Sequence, residues 1–332
     1  MTEDLLVVGG GPAGAACALW AHQLGLRVLL LEAGPSVGGL QLRSPYANRW
    51  LPGQLGQTGQ DVAAALQAHL VAAGVPHVLG FKVDSIRRSR DPDWELSGQG
   101  ASGRHGTHRA RCVVIASGST PRRGDFVESE HVGIGPGISM ERLAVRDQRV
   151  AILGGGDNAF DQAVFALRRG ARSVDIFCRR PPHAQAILRR AVPADCVHVG
   201  PFVADQARSE LPRGRGEGGS PRGPQVEAGP VSVNGRPYDV LGVQFGFEAR
   251  IPGELRLPLR DGYVDVDRCG AVAGFPGLFA AGEVTNYWHP CVTTAYAHGV
   301  QVAKSIQARL TVPAGTASIL ALPSEAALAQ MA

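Results

Sequence analysis

Two glycine clusters in the sequence have the spacing of dinucleotide-binding turns. The first is Gly9-x-Gly11-x-x-Gly14, and Glu32 follows 18 residues after Gly14. In such a cluster the first glycine makes the turn, the second lets the backbone approach a pyrophosphate, and the third lets the helix pack closely on a strand. The pyrophosphate lies at the helix N-terminus, and the acid accepts hydrogen bonds from a ribose. These residues therefore predict a first dinucleotide site.

The second cluster carries the opposite charge after its strand. It consists of Gly154, Gly156, Asp157, Asn158 and Ala159. The next strand ends on Arg179 and Arg180. An acid selects a free 2′-hydroxyl, whereas arginines suit a 2′-phosphate, so this cluster predicts NADPH. Two solvated arginines beside a vestigial unit would give the same pattern, and the residues alone leave that alternative open.

Both clusters lie between a strand and a helix. The predicted strand, helix and strand span residues 5–8, 15–25 and 27–31 in the first copy and residues 149–153, 157–169 and 173–177 in the second. A buried strand is predicted around residues 113–118, a further strand over 277–283 and a long helix over 292–310. Residues 98–106 read as a hairpin tip and residues 208–235, rich in Gly, Pro and Arg, as a flexible loop. The repeated strand–turn–helix–strand order predicts two α/β units.

Composition narrows the class of protein. The chain has 332 residues, enough for two domains, and its 44 glycines lack the three-residue period of collagen. A net charge of +4 is too small to indicate a nucleic-acid partner. The N-terminal residues show no leader-like or membrane-spanning run, so we expect a cytoplasmic protein away from membranes. The six cysteines form no CxxC pair, so we expect no metal site.

The motifs together resemble the low-molecular-weight thioredoxin reductase-like flavoproteins of the pyridine nucleotide-disulfide oxidoreductases. The stretches that carry this resemblance are Gly9 to Gly14 with Glu32, Ile115 to Ser119, Gly154 to Ala159 with Arg179 and Arg180, and Gly282 to Val284. The resemblance implies that the first unit and the C-terminal segment bind FAD and that the second unit binds NADPH. The FAD residues implied in this way are Gly9, Gly11, Pro12, Ala13, Gly14, Glu32, Ala33, Gly39, Gln41, Ala116, Gly118, Gly282, Glu283, Cys291 and Val292.

The resemblance also implies the architecture. We expect an α/β fold of two Rossmann-like, three-layer ββα domains, with an FAD domain at residues 1–120 and 244–332. An NAD(P)H-type domain at residues 121–243, including the flexible loop, is expected to be inserted in it. The family implies a homodimer.

The sequence departs from the family at the redox site. Thioredoxin reductases place a CxxC pair just before the second glycine cluster, where this chain has Gly137 and Met140. The NADPH motif is incomplete too, because Cys178 stands in the place of a histidine and Ala184 in the place of a third arginine. The usual relay through an adjacent dithiol is therefore excluded, which indicates the CxxC-lacking branch, similar to ferredoxin or flavodoxin NADP reductases or diflavin-linked disulfide oxidoreductases.

Family position places one further segment near the flavin. His289, Pro290 and Cys291 open the helix that the family aims at the pyrimidine edge of the flavin. A helix N-terminus lowers the pKa of a thiol, which makes Cys291 a candidate redox residue, and His289 is a candidate proton donor. Either residue could instead have only a packing or hydrogen-bonding role.

We therefore predict an FAD-dependent oxidoreductase that passes electrons from NADPH to an external acceptor, either a ferredoxin- or flavodoxin-like protein or a small molecule. The main alternative is a nicotinamide-independent flavoprotein that exchanges electrons with thiol proteins or ferredoxin, and a second flavin is compatible with that branch. A flavin-binding regulatory protein without turnover is the alternative from another class.

Overall fold

The computed structural model describes residues 2–89, 94–210, 226–253 and 255–311. The strands are β1 Glu3–Val8, β2 Val28–Leu31, β3 His77–Val78, β4 Lys82–Arg88, β5 Trp94–Gln99, β6 His105–Ile115, β7 Ser119–Pro121, β8 Val132–Ile134, β9 Arg149–Leu153, β10 Ser173–Cys178, β11 Val197–Val199, β12 Ala204–Glu210, β13 Val226–Val233, β14 Arg236–Tyr238, β15 Val240–Val243, β16 Phe247–Ala249, β17 Leu259–Arg260, β18 Tyr263–Val264 and β19 Leu278–Ala280. The helices are α1 Pro12–Gln23, α2 Gly59–Ala72, α3 Ile138–Glu141, α4 Asp157–Arg168, α5 Ala186–Arg190 and α6 Val292–Thr311, with 3-10 turns at Gly39–Arg43, Ala194–Cys196 and Gly282–Val284.

The first sheet has the order β3-β2-β1-β6-β5-β4, and β19 pairs with β6. The pairs β1–β2, β2–β3, β1–β6 and β6–β19 are parallel. The pairs β4–β5 and β5–β6 are antiparallel and extend the sheet. Helices α1 and α6 pack on one face around Cys17, Val114 and Val302, and the antiparallel strands cover the other face around Leu6 and Trp94. The C-terminal strand and helix therefore complete a unit that the N-terminal residues begin.

The second sheet is parallel, in the order β11-β10-β9-β15-β8. Helix α4 covers one face through Phe160 and Ala163, and the antiparallel sheet β12-β13-β14 covers the other through Val231 and Tyr238. Strands β7 and β16 form a two-stranded ladder between the units. The predicted fold class of two three-layer Rossmann-like units, one inserted in the other, is confirmed, and the exact boundaries stay a prediction.

The prediction of a flexible loop over residues 208–235 is wrong in part. Residues up to Glu210 belong to β12, residues 226–233 form β13, and residues 211–225 lie outside the described part of the chain. Val231 and Val233 are each 1% exposed, since their alternation turns one face of β13 onto the second sheet. The high glycine content concealed this period-two pattern. The predicted hairpin is confirmed, because β5 ends at Gln99 and β6 begins at His105.

Within the described residues, no helix is long and apolar enough to cross a membrane. Nor do three or more His, Cys, Asp or Glu side chains of that part of the chain cluster as they would around a metal ion.

Candidate functional site

The first glycine turn joins β1 to α1 and is packed on one side only. Gly9 has φ +105°, and a Cβ there would lie 2.5 Å from the carbonyl oxygen of Ala116. A Cβ on Gly14 would overlap the carbonyl oxygen of Gly9. Gly11, the residue that caps α1, has only the Cα of Gly39 within reach of such an atom, at 3.8 Å. The turn is therefore tight behind and open in front, where the first N–H groups of α1 have no partner within the helix.

Glu32 joins the end of β2 to this turn. Its Oε2 accepts a hydrogen bond from the Gly10 N–H at 2.5 Å, and its Oε1 accepts one from the Gly34 N–H at 2.6 Å. The carboxylate thus holds the loop in place and borders the open side of the turn.

A cavity of about 960 Å³ extends from this turn to the N-terminus of α6. The predicted FAD residues that line it are Gly9, Gly11, Pro12, Ala13, Glu32, Ala33, Gly39, Gln41, Ala116, Gly118, Glu283, Cys291 and Val292. Gly14 and Gly282 lie behind the lining, where Gly14 contacts Gly9 and a Cβ on Gly282 would lie 2.7 Å from the Ala13 Cβ. The volume is at the upper end of the range for cofactor pockets, and a glycine cradle with carboxylates near both ends fits a flavin dinucleotide.

Glu283 supplies the second carboxylate. It lies in the 3-10 turn after β19, and its Oε2 accepts a hydrogen bond from the Ser119 hydroxyl at 2.9 Å. Glu283 therefore places a carboxylate at the wall of the cavity.

Cys291 precedes the first residue of α6 and borders the cavity. Its Sγ accepts a hydrogen bond from the Thr294 N–H at 3.4 Å and lies 3.3 Å from the Thr294 hydroxyl. Burial raises the pKa of this thiol, as does Glu283, but the hydrogen bonds from Thr294 and from the Thr293 N–H outweigh them, so the pKa of Cys291 is lower than that of an ordinary cysteine. The thiol of Cys291 therefore loses its proton more readily than an ordinary cysteine does.

His289 is not brought into the cavity. Its side chain is exposed and is not part of the lining, while its carbonyl accepts a hydrogen bond from the Thr294 hydroxyl at 2.6 Å. His289 therefore contributes its backbone to the start of α6.

His298, which no sequence motif indicated, lies behind the cavity wall and contacts the backbone of Gly282. Its Nδ1 accepts a hydrogen bond from the Gly282 N–H at 3.1 Å, so the ring nitrogen is unprotonated on that side. The side chain is 1% exposed, and burial lowers the pKa of His298 to about 4. Its Nε2 has no hydrogen-bond partner in the described part of the chain. The sequence predicts a helix over 292–310 but no role for His298.

Other lining residues also escaped prediction. They are Arg43, Lys82, Asp84, Ser117, Thr120, Pro121, Arg250, Ile251 and Pro252. Some of them lie in strands, Lys82 and Asp84 in β4 and Thr120 and Pro121 in β7, and the others lie in the 3-10 turn after β2 and in loop segments, so no single spacing pattern in the sequence marks them.

The second glycine turn joins β9 to α4. Gly154 has φ +143°, and a Cβ there would overlap the Gln244 carbonyl oxygen. Gly156 caps α4, and Asp157 accepts hydrogen bonds from the backbone and side chain of Gln185 at 2.7 and 3.0 Å. The turn thus repeats the strand–glycine turn–helix arrangement of the first cluster.

The remaining predicted NADPH residues surround this turn. Ala159 is fully buried in α4 and Asn158 is partly exposed at its first turn. Arg179 and Arg180 are exposed directly after β10, and the Arg179 guanidinium lies 5.4 Å from the centre of the Phe202 ring. The two arginines are therefore free to meet a charged ligand at the end of the strand.

Gly137 and Met140, the two positions that the resemblance matches to the family's dithiol, lie at or beside a contact between the two units. Gly137 has φ +79°, is buried, and would place a Cβ on the carbonyl oxygen of Arg43. Met140 is fully buried in the core of the inserted unit. Arg43 itself lines the large cavity. A cysteine at position 137 would clash with the Arg43 carbonyl, and one at position 140 would be buried in the core, so neither could present a thiol to the cavity.

The sequence was compared with protein families and with known proteins. Residues 3–199 match the family model described as pyridine nucleotide-disulphide oxidoreductase. The chain is 31% identical to a ferredoxin–NADP reductase of Salinispora tropica over 86% of each chain. It is 26% identical to a thioredoxin reductase of Streptomyces coelicolor over 91% of this chain and 92% of that protein.

Solved structures share the fold. The thioredoxin reductase of Lactococcus lactis in its FR conformation superposes with a TM-score of 0.69 at 22% identity, covering 92% of this chain and 98% of that one. The thioredoxin reductase of T. acidophilum gives 0.68 at 20% identity, covering 94% and 99%.

Proposed function

The chain belongs to the pyridine nucleotide-disulphide oxidoreductase family, and we propose that it is an FAD-dependent enzyme that passes electrons from NADPH to an external acceptor. The observation that carries the proposal is the cavity between the first glycine turn and α6, with Glu32, Glu283 and Cys291 in its wall. Relatives named ferredoxin–NADP reductase support electron exchange between NADP(H) and a protein carrier of the ferredoxin class.

The chain's own residues have separate tasks in this proposal. The N-terminus of α1, with Gly11 in front, holds a pyrophosphate, and Glu32 accepts hydrogen bonds from the adenosine ribose. Glu283 binds the polar chain of FAD that joins the flavin ring to the pyrophosphate. The N-terminus of α6 favours negative charge in that part of the cavity by about 1 kcal/mol. When bound, FAD would supply the redox chemistry that links the nicotinamide to the acceptor.

The second glycine turn is the proposed NADPH site. The N-terminus of α4 holds the pyrophosphate, and Arg179 and Arg180 meet the 2′-phosphate, for which guanidinium groups are suited. The exposure of both arginines supports this assignment.

An external acceptor is proposed because the family's dithiol position holds Gly137 and Met140. We favour a one-electron protein carrier of the ferredoxin or flavodoxin class, which the names of several relatives support. The test is anaerobic reduction of the FAD-loaded protein by NADPH, followed by addition of oxidised ferredoxin. Re-oxidation of the flavin by ferredoxin is expected, and re-oxidation only by disulfide substrates would contradict a protein carrier.

The position and lowered pKa of Cys291 favour a second candidate, exchange of electrons between bound flavin and a substrate dithiol. In that case reduction of the flavin by dithiols slows in Cys291→Ser and is unchanged in Cys269→Ser, a cysteine outside the cavity lining. Stopped-flow absorbance measures both rates. Equal rates in the two variants remove Cys291 from the reaction.

A further inference from the structure

The ring of His183 lies against the second glycine turn. A Cβ on Gly156 would lie 3.0 Å from the His183 Nε2 and 3.6 Å from its Cε1. In the first turn the matching residue, Gly11, has only the Gly39 Cα nearby, at 3.8 Å, and faces the open cavity. The face of the glycine that allows a pyrophosphate to approach is thus bordered by an imidazole in the second turn alone.

The segment that carries this ring is fastened across the turn. The His183 and Ala184 N–H groups donate hydrogen bonds to the Gly155 carbonyl oxygen at 2.9 and 3.1 Å. Gln185 donates to Asp157 from its backbone and its side chain. Two prolines precede His183, and proline restricts the backbone to one φ. The imidazole is therefore attached to a backbone that is already fixed beside the turn.

The ring is also available to a ligand. The His183 side chain is exposed, and neither of its nitrogens hydrogen-bonds to another residue of the described part of the chain. A ring N–H beside the first turn of α4 adds a side-chain donor to the backbone donors of the helix N-terminus.

We propose that His183 donates a hydrogen bond to the pyrophosphate of the nicotinamide dinucleotide at the second glycine turn. This rests on the proposed function. It divides the recognition of the nucleotide into two parts: His183 meets the pyrophosphate, which NADPH and NADH share, whereas Arg179 and Arg180 meet the 2′-phosphate, which only NADPH has. His183 thus contributes binding where the family's third arginine is replaced by Ala184.

Calorimetric binding to the FAD-loaded protein separates these parts. The three probes are NADP⁺, NAD⁺ and adenosine 2′-monophosphate, which carries the 2′-phosphate but no pyrophosphate. In His183→Ala we expect NADP⁺ and NAD⁺ to bind about fivefold more weakly, as for loss of one hydrogen bond, with adenosine 2′-monophosphate unchanged. In Arg180→Ala the pattern reverses, with weaker NADP⁺ and adenosine 2′-monophosphate and unchanged NAD⁺. His183→Gln, which keeps an N–H donor, recovers part of the loss.

Other results of these binding measurements would contradict the role of His183. Unchanged or tighter NADP⁺ binding in His183→Ala overturns the proposal and leaves the proposed function intact, as does an equal loss for adenosine 2′-monophosphate. If the unaltered protein binds neither NADP⁺ nor NAD⁺, the nicotinamide part of the proposed function fails and the role of His183 fails with it. Thermal unfolding and FAD content are measured on each variant to confirm that the fold is intact.

Discussion

Two glycines of the first turn have different physical tasks, which substitution by alanine separates. A methyl group on Gly14 would meet the Gly9 carbonyl oxygen, so Gly14→Ala is expected to destabilise the protein by about 3 kcal/mol, the upper end of the usual cost of overpacking. A methyl group on Gly11 meets only the Gly39 Cα at 3.8 Å, so Gly11→Ala is expected to lower the free energy of unfolding by no more than about 1 kcal/mol, the cost of alanine in place of glycine at the N-cap of α1. It reduces FAD affinity by about tenfold or more, because the methyl occupies the approach to the pyrophosphate.

Chemical denaturation of the apoprotein and the flavin content after purification measure these two effects. Gly100→Ala is the matched control, since a Cβ there makes an ordinary 3.6 Å contact with the Arg104 carbonyl oxygen away from the cavity. Full flavin content in Gly11→Ala would show that the turn does not hold the cofactor.

His298 makes stability depend on pH. Its pKa of about 4 in the folded protein is below the ordinary value of 6.5, so the unfolded chain binds the additional proton. The free energy of unfolding therefore falls as pH decreases through the window from about 6.5 to 4, by about 2 kcal/mol between about pH 7 and pH 5. Above that window the ring adds no pH dependence.

The test compares denaturation of the wild-type protein with His298→Asn, in which an amide oxygen can still accept the Gly282 N–H. The variant is expected to lose the His298 part of the pH dependence. Identical pH profiles for both proteins would mean that His298 is accessible to protons in the fold.

At this scale the sequence was informative where a residue's task follows from spacing. Gly9, Gly11 and Glu32 were predicted from spacing, and they meet at one cavity with Cys291, which the family resemblance indicated. His298 and the cavity-lining Arg250 were not, because their positions depend on how α6 and β16 pack. No local pattern records such packing.

Helix α3 shows why a dithiol cannot simply be restored. Its N-cap, Gly137, has φ +79° and touches the Arg43 carbonyl, while Met140 is buried in the core. We expect the double variant Gly137→Cys/Met140→Cys to be destabilised by about 1–3 kcal/mol and to show no NADPH-dependent disulfide reduction.

Ile138→Cys, at an exposed position of the same helix, serves as the control for introducing a thiol. NADPH consumption with a disulfide substrate and thermal unfolding provide the readouts. Disulfide reduction by the double variant, with unchanged stability, would contradict the view that this helix start is a closed contact.

Elements were predictable to different degrees. The strands and helices of both glycine clusters have apolar runs and turns that local physics dictates, and they form as expected. Strand β13 was missed because Gly and Pro in residues 208–235 outweighed the alternating valines. Burial against the second sheet decided that segment.

At the level of the whole molecule, the two units touch beside the cavity. The Tyr46 and Phe165 rings pack edge to face with centroids 5.9 Å apart, and the Tyr46 hydroxyl donates to the Gly137 carbonyl at 3.5 Å. Arg43 and Glu128 pair at 3.6 Å. The inserted unit thus packs against the segment that follows Gly39. Local sequence patterns do not predict such a contact between two units.

Electron transfer from NADPH in this protein requires FAD in the cavity at the first glycine turn and NADPH at the second. Its most direct test is anaerobic addition of NADPH, and separately NADH, to the purified FAD-loaded protein while the visible flavin absorption is recorded. We predict that NADPH bleaches the flavin band, and does so at lower concentration than NADH because of Arg179 and Arg180. A flavin band that neither nucleotide bleaches would contradict the account.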